Sequence, residues 1–171
     1  MRAQRNSKNC QVISKRLFCD ICLDKLKGTK NGMSFDALDE NNQVIERLLE
    51  TIKKNNKIVD VYERWMRLET RSGGVYQFIL DNGFRKVAIY GMGNLGRSLC
   101  DELSHNQVEV VYVIDKNKSI NCSGYQCYTM QDELPEADVV IITPITYFEE
   151  ISKELSKKLT CPLLSLDDII P

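Results

Sequence analysis

From residue 84 onward the apolar positions fall into short unbroken runs separated by polar, glycine-bearing turns. Residues 87–90 (VAIY), 108–114 (VEVVYVI) and 138–143 (DVVIIT) read as strands, the last a continuous apolar run of the kind found where a parallel strand is covered on both faces. Shorter strand candidates lie at 125–128 and 161–166. Helical periodicity fills two of the intervals. One amphipathic run follows residue 93, and residues 147–159 place Phe148, Ile151, Leu155 and Leu159 on one face, with Thr146 and Glu149 as a capping-box signal after Pro144. Residues 116–123 read as a polar loop, residues 132–134 are too short for a crossover helix, and residues 167–171 read as a terminal turn. Strands alternating with helices predict an α/β fold: a small parallel sheet of about five strands, order 3-2-1-4-5, with right-handed connections.

The first half of the chain has a helical pattern. Residues 10–27 set Ile13, Leu17 and Ile21 on a stripe widened by Phe18, Cys22 and Leu26, with Gly28 as the stop. Residues 29–42 read as a linker. From about residue 41 a longer stripe runs through Ile45, Leu48, Leu49, Ile52, Val59, Tyr62, Trp65 and Met66, interrupted by KKNNK at 53–57. Either one helix of about 25 residues, nearly 40 Å long, passes through the interruption, or a hairpin forms at Asn55-Asn56. A helix of that length overshoots a small domain, and its apolar stripe predicts self-association. Residues 72–74 form a loop, and a short helix at 75–81, stopped by Asn82-Gly83, leads into the first strand. Trp65 is expected to pack the helix on the domain. The chain thus divides into a helical extension, 1–83, and an α/β domain, 84–171.

Composition narrows the classes of partner. The chain of 171 residues has 43% hydrophobic and 27% charged residues and a net charge of −1, ordinary for a globular protein and unsuited to nucleic acid. Residues 1–30 hold eight Lys/Arg against two Asp, the remainder fifteen against twenty-two acids, so the basic character sits at the N-terminus. A membrane-surface role for the 10–27 helix is the alternative to docking on the domain or a partner. Seven cysteines without framework spacing, and no secretory signal, predict reduced thiols and a cytoplasmic location. Cys10, Cys19 and Cys22 fall one ligand short of a structural zinc site, so no metal site is expected. No stretch approaches the roughly 18 apolar residues of a membrane span.

The chemistry lies in the turn Gly91-Met92-Gly93-Asn94-Leu95-Gly96. It follows a strand, opens a helix, and has Asp115 about 20 residues beyond at the end of the second strand, the context in which G-x-G-x-x-G marks a Rossmann-like nucleotide site. Gly91 permits the tight turn, Gly93 lets a phosphate approach the backbone, and Gly96 lets helix pack on strand. Asp115 is placed to accept from ribose hydroxyls, and Lys116 softens its repulsion of a further phosphate. Thr143, Thr146 and Tyr147, after the fourth strand, are expected at the same crevice or else simply end the strand and cap the helix. His105, the single histidine, falls on the far side of its helix. No Tyr-x-x-x-Lys pair and no Ser/His/Asp or Cys/His set is present.

The run from Tyr62-x-x-Trp65 through KVAIYGMGNLGRSLCDEL, VVYVIDKN, ELPEADVVIITPITYFEEI and PLLSLDDII resembles the small Rossmann-like modules of bacterial surface-polysaccharide gene clusters, which occur alone or joined to glycosyltransferase-type domains. More distantly it is similar to the N-terminal nucleotide-sugar-binding domain of bacterial sugar acyltransferases. That resemblance covers about residues 60–171 and implies a UDP-sugar held by Gly91, Gly93, Gly96 and Asp115; without the acyltransferases' β-helix it implies no acyl transfer. Three functions stay open: an accessory, non-catalytic module holding NAD or a nucleotide-sugar, with a glycosyltransferase as candidate partner; a minimal NAD-dependent oxidoreductase or epimerase completed by a second chain; and an interaction module with a relic turn.

Overall fold

A computed structural model describes residues 35–118, 120, 122 and 124–171, with side chains from residue 42 onward. The helix expected at 10–27, Cys10, Cys19 and Cys22, and the first part of the expected linker lie outside the described residues. The chain divides into two compact units, 1–48 and 49–171. The described part of the first is helical.

Helix α1, Phe35–Ser72, runs unbroken for 38 residues. Asn55-Asn56 therefore does not turn the chain, and residues 35–42, expected as linker, are helical. Each asparagine costs at most about 0.7 kcal/mol relative to alanine within a helix. Packing opposes that cost, because Ile58, Val61, Tyr62, Trp65 and Leu68 all pack into the core of the second unit.

After Gly73 and Gly74 come α2 (Val75–Asp81), β1 (Lys86–Tyr90), α3 (Asn94–Ser104), β2 (Glu109–Ile114), β3 (Cys127–Tyr128), β4 (Val139–Ile142), a 3-10 turn (Ile145–Tyr147), α4 (Phe148–Leu155), β5 (Leu163–Ser165) and α5 (Leu166–Ile169). The five strands form one sheet, order β3-β2-β1-β4-β5, with every pairing parallel. This is the α/β fold and strand order that the periodicity predicts.

Side chains of β1 and β4 alternate between the sheet faces, as strand geometry requires. Val87, Ile89, Val139 and Ile141 meet α1, α2, α3 and α5 through Val61, Trp65, Val75, Ile79, Leu99, Leu103, Leu166 and Ile169. Ala88, Tyr90, Val140 and Ile142 meet α4 through Ile151 and Leu155. A register shift at Val87/Ala88 breaks the alternation in β2, so that Val111 and Tyr112 both join the α4 side. Tyr112 is fully buried there, edge-on to Tyr128, and its hydroxyl has no hydrogen-bond partner among the described residues.

Two polar clasps hold α1 to the sheet unit. Trp65 Nε1 donates to Glu102 Oε2 at 2.5 Å, and Glu102 Oε1 accepts from Tyr76 N at 2.9 Å. Gly74, at φ 101°, makes room for that carboxylate, which a Cβ would meet at 2.5 Å. Burial raises the Glu102 pKa, and the two donors offset part of the rise. In the second clasp Arg64 donates to the carbonyls of Asp167 and Ile170 and to the Asp167 carboxylate, which Lys57 Nζ also pairs at 2.9 Å. Trp65 thus packs helix on domain, as expected.

The periodicity misplaced some details. Only Cys127–Tyr128 of 125–128 is strand, since its single neighbour is β2 and no helix crosses between β3 and β4. The capping box at Thr146 and Glu149 does not form: Thr146 lies inside the 3-10 turn, Tyr147 occupies the cap position, and no side chain caps α4. Pro144 causes this, its carbonyl taking Tyr147 N at 2.8 Å and closing the turn before the helix can start.

Candidate functional site

The strand order reverses direction between β1 and β4, so their carboxyl ends diverge into a crevice, the place where open parallel sheets hold ligands. A cleft of about 420 Å³ occupies it, lined by Tyr90, Gly91, Asp115, Lys116, Pro144, Tyr147, Glu150 and Ile151. A larger cleft of about 610 Å³ lies at the opposite ends of the strands around Arg85, Asp138 and Cys161. Of its two carboxylates, Glu136 and Asp138, the latter is already taken by Arg85 N and Lys86 N, both at 2.7 Å, which lower its pKa. The crevice beside the glycine turn is the stronger candidate because it lies at the carboxyl ends of the strands, with Gly91, Asp115 and Lys116 in its lining; residues 92–96 are not part of that lining.

Each glycine of the turn has a separate constraint. Gly91 adopts φ 90° and sits against Pro144, whose ring a Cβ would meet at 2.7 Å. Gly96 packs so closely that a Cβ would lie 1.9 Å from Gly91 O. Gly93 is different. Its φ is −71°, which any residue adopts, and a Cβ there would meet nothing within 4 Å. The fold therefore requires glycine at 91 and 96 but not at 93.

Gly93 is also the N-cap of α3. No side chain caps that helix, and no acidic residue lies in its first turn. The amides of Asn94, Leu95 and Gly96 precede Arg97, whose N donates to Gly93 O at 3.0 Å, so they are the first-turn donors without an intrahelical partner, at the positive end of the helix dipole. Gly93 and Asn94 are exposed, whereas Leu95 and Gly96 are buried. Arg97, exposed beside them and bonded to Asn94 Oδ1 at 3.1 Å, adds a cation that the motif does not specify. Met92 and Leu95 point their side chains into the core, leaving only backbone to the site.

Asp115 stands beside the turn. Its Oδ2 accepts from Met92 N at 2.8 Å and its Oδ1 from Asn117 N at 2.9 Å. A carboxylate oxygen accepts more than one bond, so capacity for ribose hydroxyls remains. Lys116 is exposed on the cleft wall. Thr143 lies beneath the turn rather than in the crevice: it is 4% exposed, and its hydroxyl is shared between Tyr90 O at 3.1 Å and Gly91 O at 2.9 Å. Tyr147 lines the cleft, whereas Thr146 is exposed outside its lining. His105 caps the far end of α3.

Lys54 was not legible as a site residue. It comes from the KKNNK interruption of α1, and its Nζ donates to Tyr147 Oη at 2.7 Å. Only the fold brings these residues, 93 apart in sequence, together. Among the described residues no group of three or more His, Cys, Asp or Glu is placed to hold a metal ion. No described helix is long and apolar enough to cross a membrane.

Residues 83–161 match the family described as C2185-like, N-terminal. The match starts after α2 and ends before β5, taking in the glycine turn, Asp115 and Tyr147 but not α1. Comparison with curated proteins and with solved structures gave no match.

Proposed function

We propose that the chain is an accessory, non-catalytic module that holds a nucleotide, NAD or a nucleotide-sugar, in the crevice above β1 and β4. One observation carries this reading: the uncapped start of α3 at Gly93, where nothing in the fold itself requires glycine, next to a carboxylate poised at the end of β2. A phosphate at the amides of residues 94–96 and a ribose at Asp115 use both features together. The resemblance of residues 60–171 to modules of surface-polysaccharide clusters supports a role in that biosynthesis, in the cytoplasm, with a glycosyltransferase as partner. Calorimetry with NAD, NADP, UDP-sugars and CDP-linked polyols tests the reading. One of them binds at micromolar affinity or weaker; absence of heat with all of them at high protein concentration refutes it.

A second copy of the chain is the partner that α1 fits. Ile45, Ile52, Val59 and Met66, each seven residues from the next, are 52%, 53%, 55% and 68% exposed, with Leu48 and Leu49 beside the first two. A seven-residue repeat is the seam of a left-handed coiled coil. Charge favours an antiparallel pair: residues 35–52 carry five acids and one arginine, residues 53–72 six bases and three acids. Antiparallel packing sets each acidic half beside a basic one.

A further inference from the structure

Gly91, Asp115 and Lys116 account for one side of the crevice, next to the start of α3. Its other wall carries Tyr147 and Glu150, with Tyr90, Pro144 and Ile151 supplying apolar surface, and none of these has a role in holding a phosphate on the α3 amides. Tyr147 is 46% exposed although aromatic, and its hydroxyl oxygen is taken as an acceptor by Lys54 Nζ at 2.7 Å.

That arrangement sets the chemistry of the phenol. With a lone pair engaged by an ammonium group, the Tyr147 O–H hydrogen is turned away from Lys54, and the positive charge polarises it into a stronger donor. Lys54 is charged at neutral pH like any lysine, and its hydrogen bond to Tyr147 is the main cause that raises its pKa further. Glu150 is a pure acceptor when ionised. A strengthened donor, an acceptor and a patch of apolar surface together match a pyranose, whose hydroxyls both donate and accept and whose ring carries apolar C–H faces. A carboxamide could also use both groups, but a pyranose presents several hydroxyls to them around one ring. The cleft of about 420 Å³ falls within the range of small-molecule sites.

Resting on the nucleotide-holding reading, we infer that Tyr147 and Glu150 receive the sugar of a nucleoside-diphosphate sugar, and that Lys54 of α1 is a positioning residue that orients the Tyr147 hydroxyl toward it. The ligand therefore spans the crevice from the α3 terminus to the wall after β4. Lys54 lies outside residues 83–161, so the long helix completes a site that the family-matched region alone leaves open.

Calorimetry on the full chain with two probes, UDP and UDP-glucose, separates this inference from the reading beneath it; ADP and ADP-glucose serve as the second pair. In the wild type the sugar adds affinity over the bare diphosphate. Tyr147→Phe and Lys54→Met each reduce the ratio of sugar-nucleotide to diphosphate affinity by about tenfold, the scale of one lost charge-assisted hydrogen bond. Lys54→Arg restores most of the ratio, and Tyr147→Phe with Lys54→Met loses no more than Tyr147→Phe alone, because Lys54 acts through the phenol. A diphosphate that binds with the ratio unchanged in both variants overturns the inference and leaves the nucleotide reading standing. Equal weakening of both probes by Lys54→Met also overturns it, by making Lys54 a general electrostatic or structural contributor. Failure of the wild type to bind any of the four probes overturns both.

Discussion

The three glycines of the turn share a motif but differ in what they do. At 91 a positive φ, and at 96 a carbonyl 1.9 Å from any Cβ, make glycine a condition of folding. At 93 the backbone is ordinary and the space is empty, so the fold does not account for glycine there. The motif's spacing made all three visible in the sequence but could not separate these roles. Thr143 is a similar case: its position after β4 was legible, but its burial beneath the turn was not, because that depends on how Gly91 curls over it. Tyr112 lies in a strand that the sequence placed well, yet its orphaned hydroxyl arises from a register shift no periodicity reveals. An unpaired buried hydroxyl costs about 1 to 3 kcal/mol. Tyr112→Phe should therefore stabilise the protein by about 1 kcal/mol, some 2–4 °C in a thermal melt; a fall of that size would mean the hydroxyl has a partner.

Among the elements, β1, β2 and β4 were the most legible because each is a short, largely buried apolar run, whereas the edge strands β3 and β5 are half-buried and short. Helix α1 was half legible. Its apolar positions were plain, but they belong to two faces: Val61 and Trp65 close the core of the sheet unit, while Ile52, Val59 and Met66 stay exposed. A single stripe on paper merges these because residues 59 and 61 point to opposite sides of a helix. The KKNNK interruption looked like a break and is instead the segment that delivers Lys54 to Tyr147 and Lys57 to Asp167. The exposed face gives a direct test of self-association. Ile52→Glu with Val59→Glu places four charges in a dimer seam without touching the docked face. Light scattering should show the wild type at twice the chain mass and the double variant at the chain mass, with unchanged helix content. A variant that keeps the wild-type mass would remove α1 as the interface. Truncation at residue 70 is a poorer test, since it strips Val61 and Trp65 from the core.

At the scale of the whole molecule, the carboxylates set the response to acid. Asp132 is lowered to about 2, first by the Thr129 backbone N–H and then by Lys118 and the Thr129 hydroxyl. Asp138 is lowered by the amides of Lys86 and Arg85. Asp167 is lowered too: burial pushes it up, but Lys57 and Arg64 together outweigh that. A depressed carboxylate stabilises the fold above its unfolded pKa and loses that contribution as pH falls through the folded one, so Asp132 acts between about pH 4 and pH 2, and Asp138 and Asp167 act below the ordinary aspartate value. Glu102 has the opposite sign. Burial raises it, so its contribution is present at low pH and fades as pH climbs past the ordinary glutamate value toward the raised one. Stability followed by circular dichroism should fall steeply below about pH 4, and Asp132→Asn should flatten that fall; an unaltered slope would show that Asp132 is not linked to unfolding.

The central claim is that the opening at Gly93 exists for a ligand. Because the fold tolerates a side chain there, Gly93→Val separates binding from folding, which Gly91 or Gly96 variants cannot do. Calorimetry of wild type and Gly93→Val against the same nucleotide panel, with melting curves of both proteins, measures it directly. The account predicts matched melts, micromolar or weaker binding by the wild type, and no binding by the variant. Equal affinity in the two proteins, or no binding by either, would contradict it.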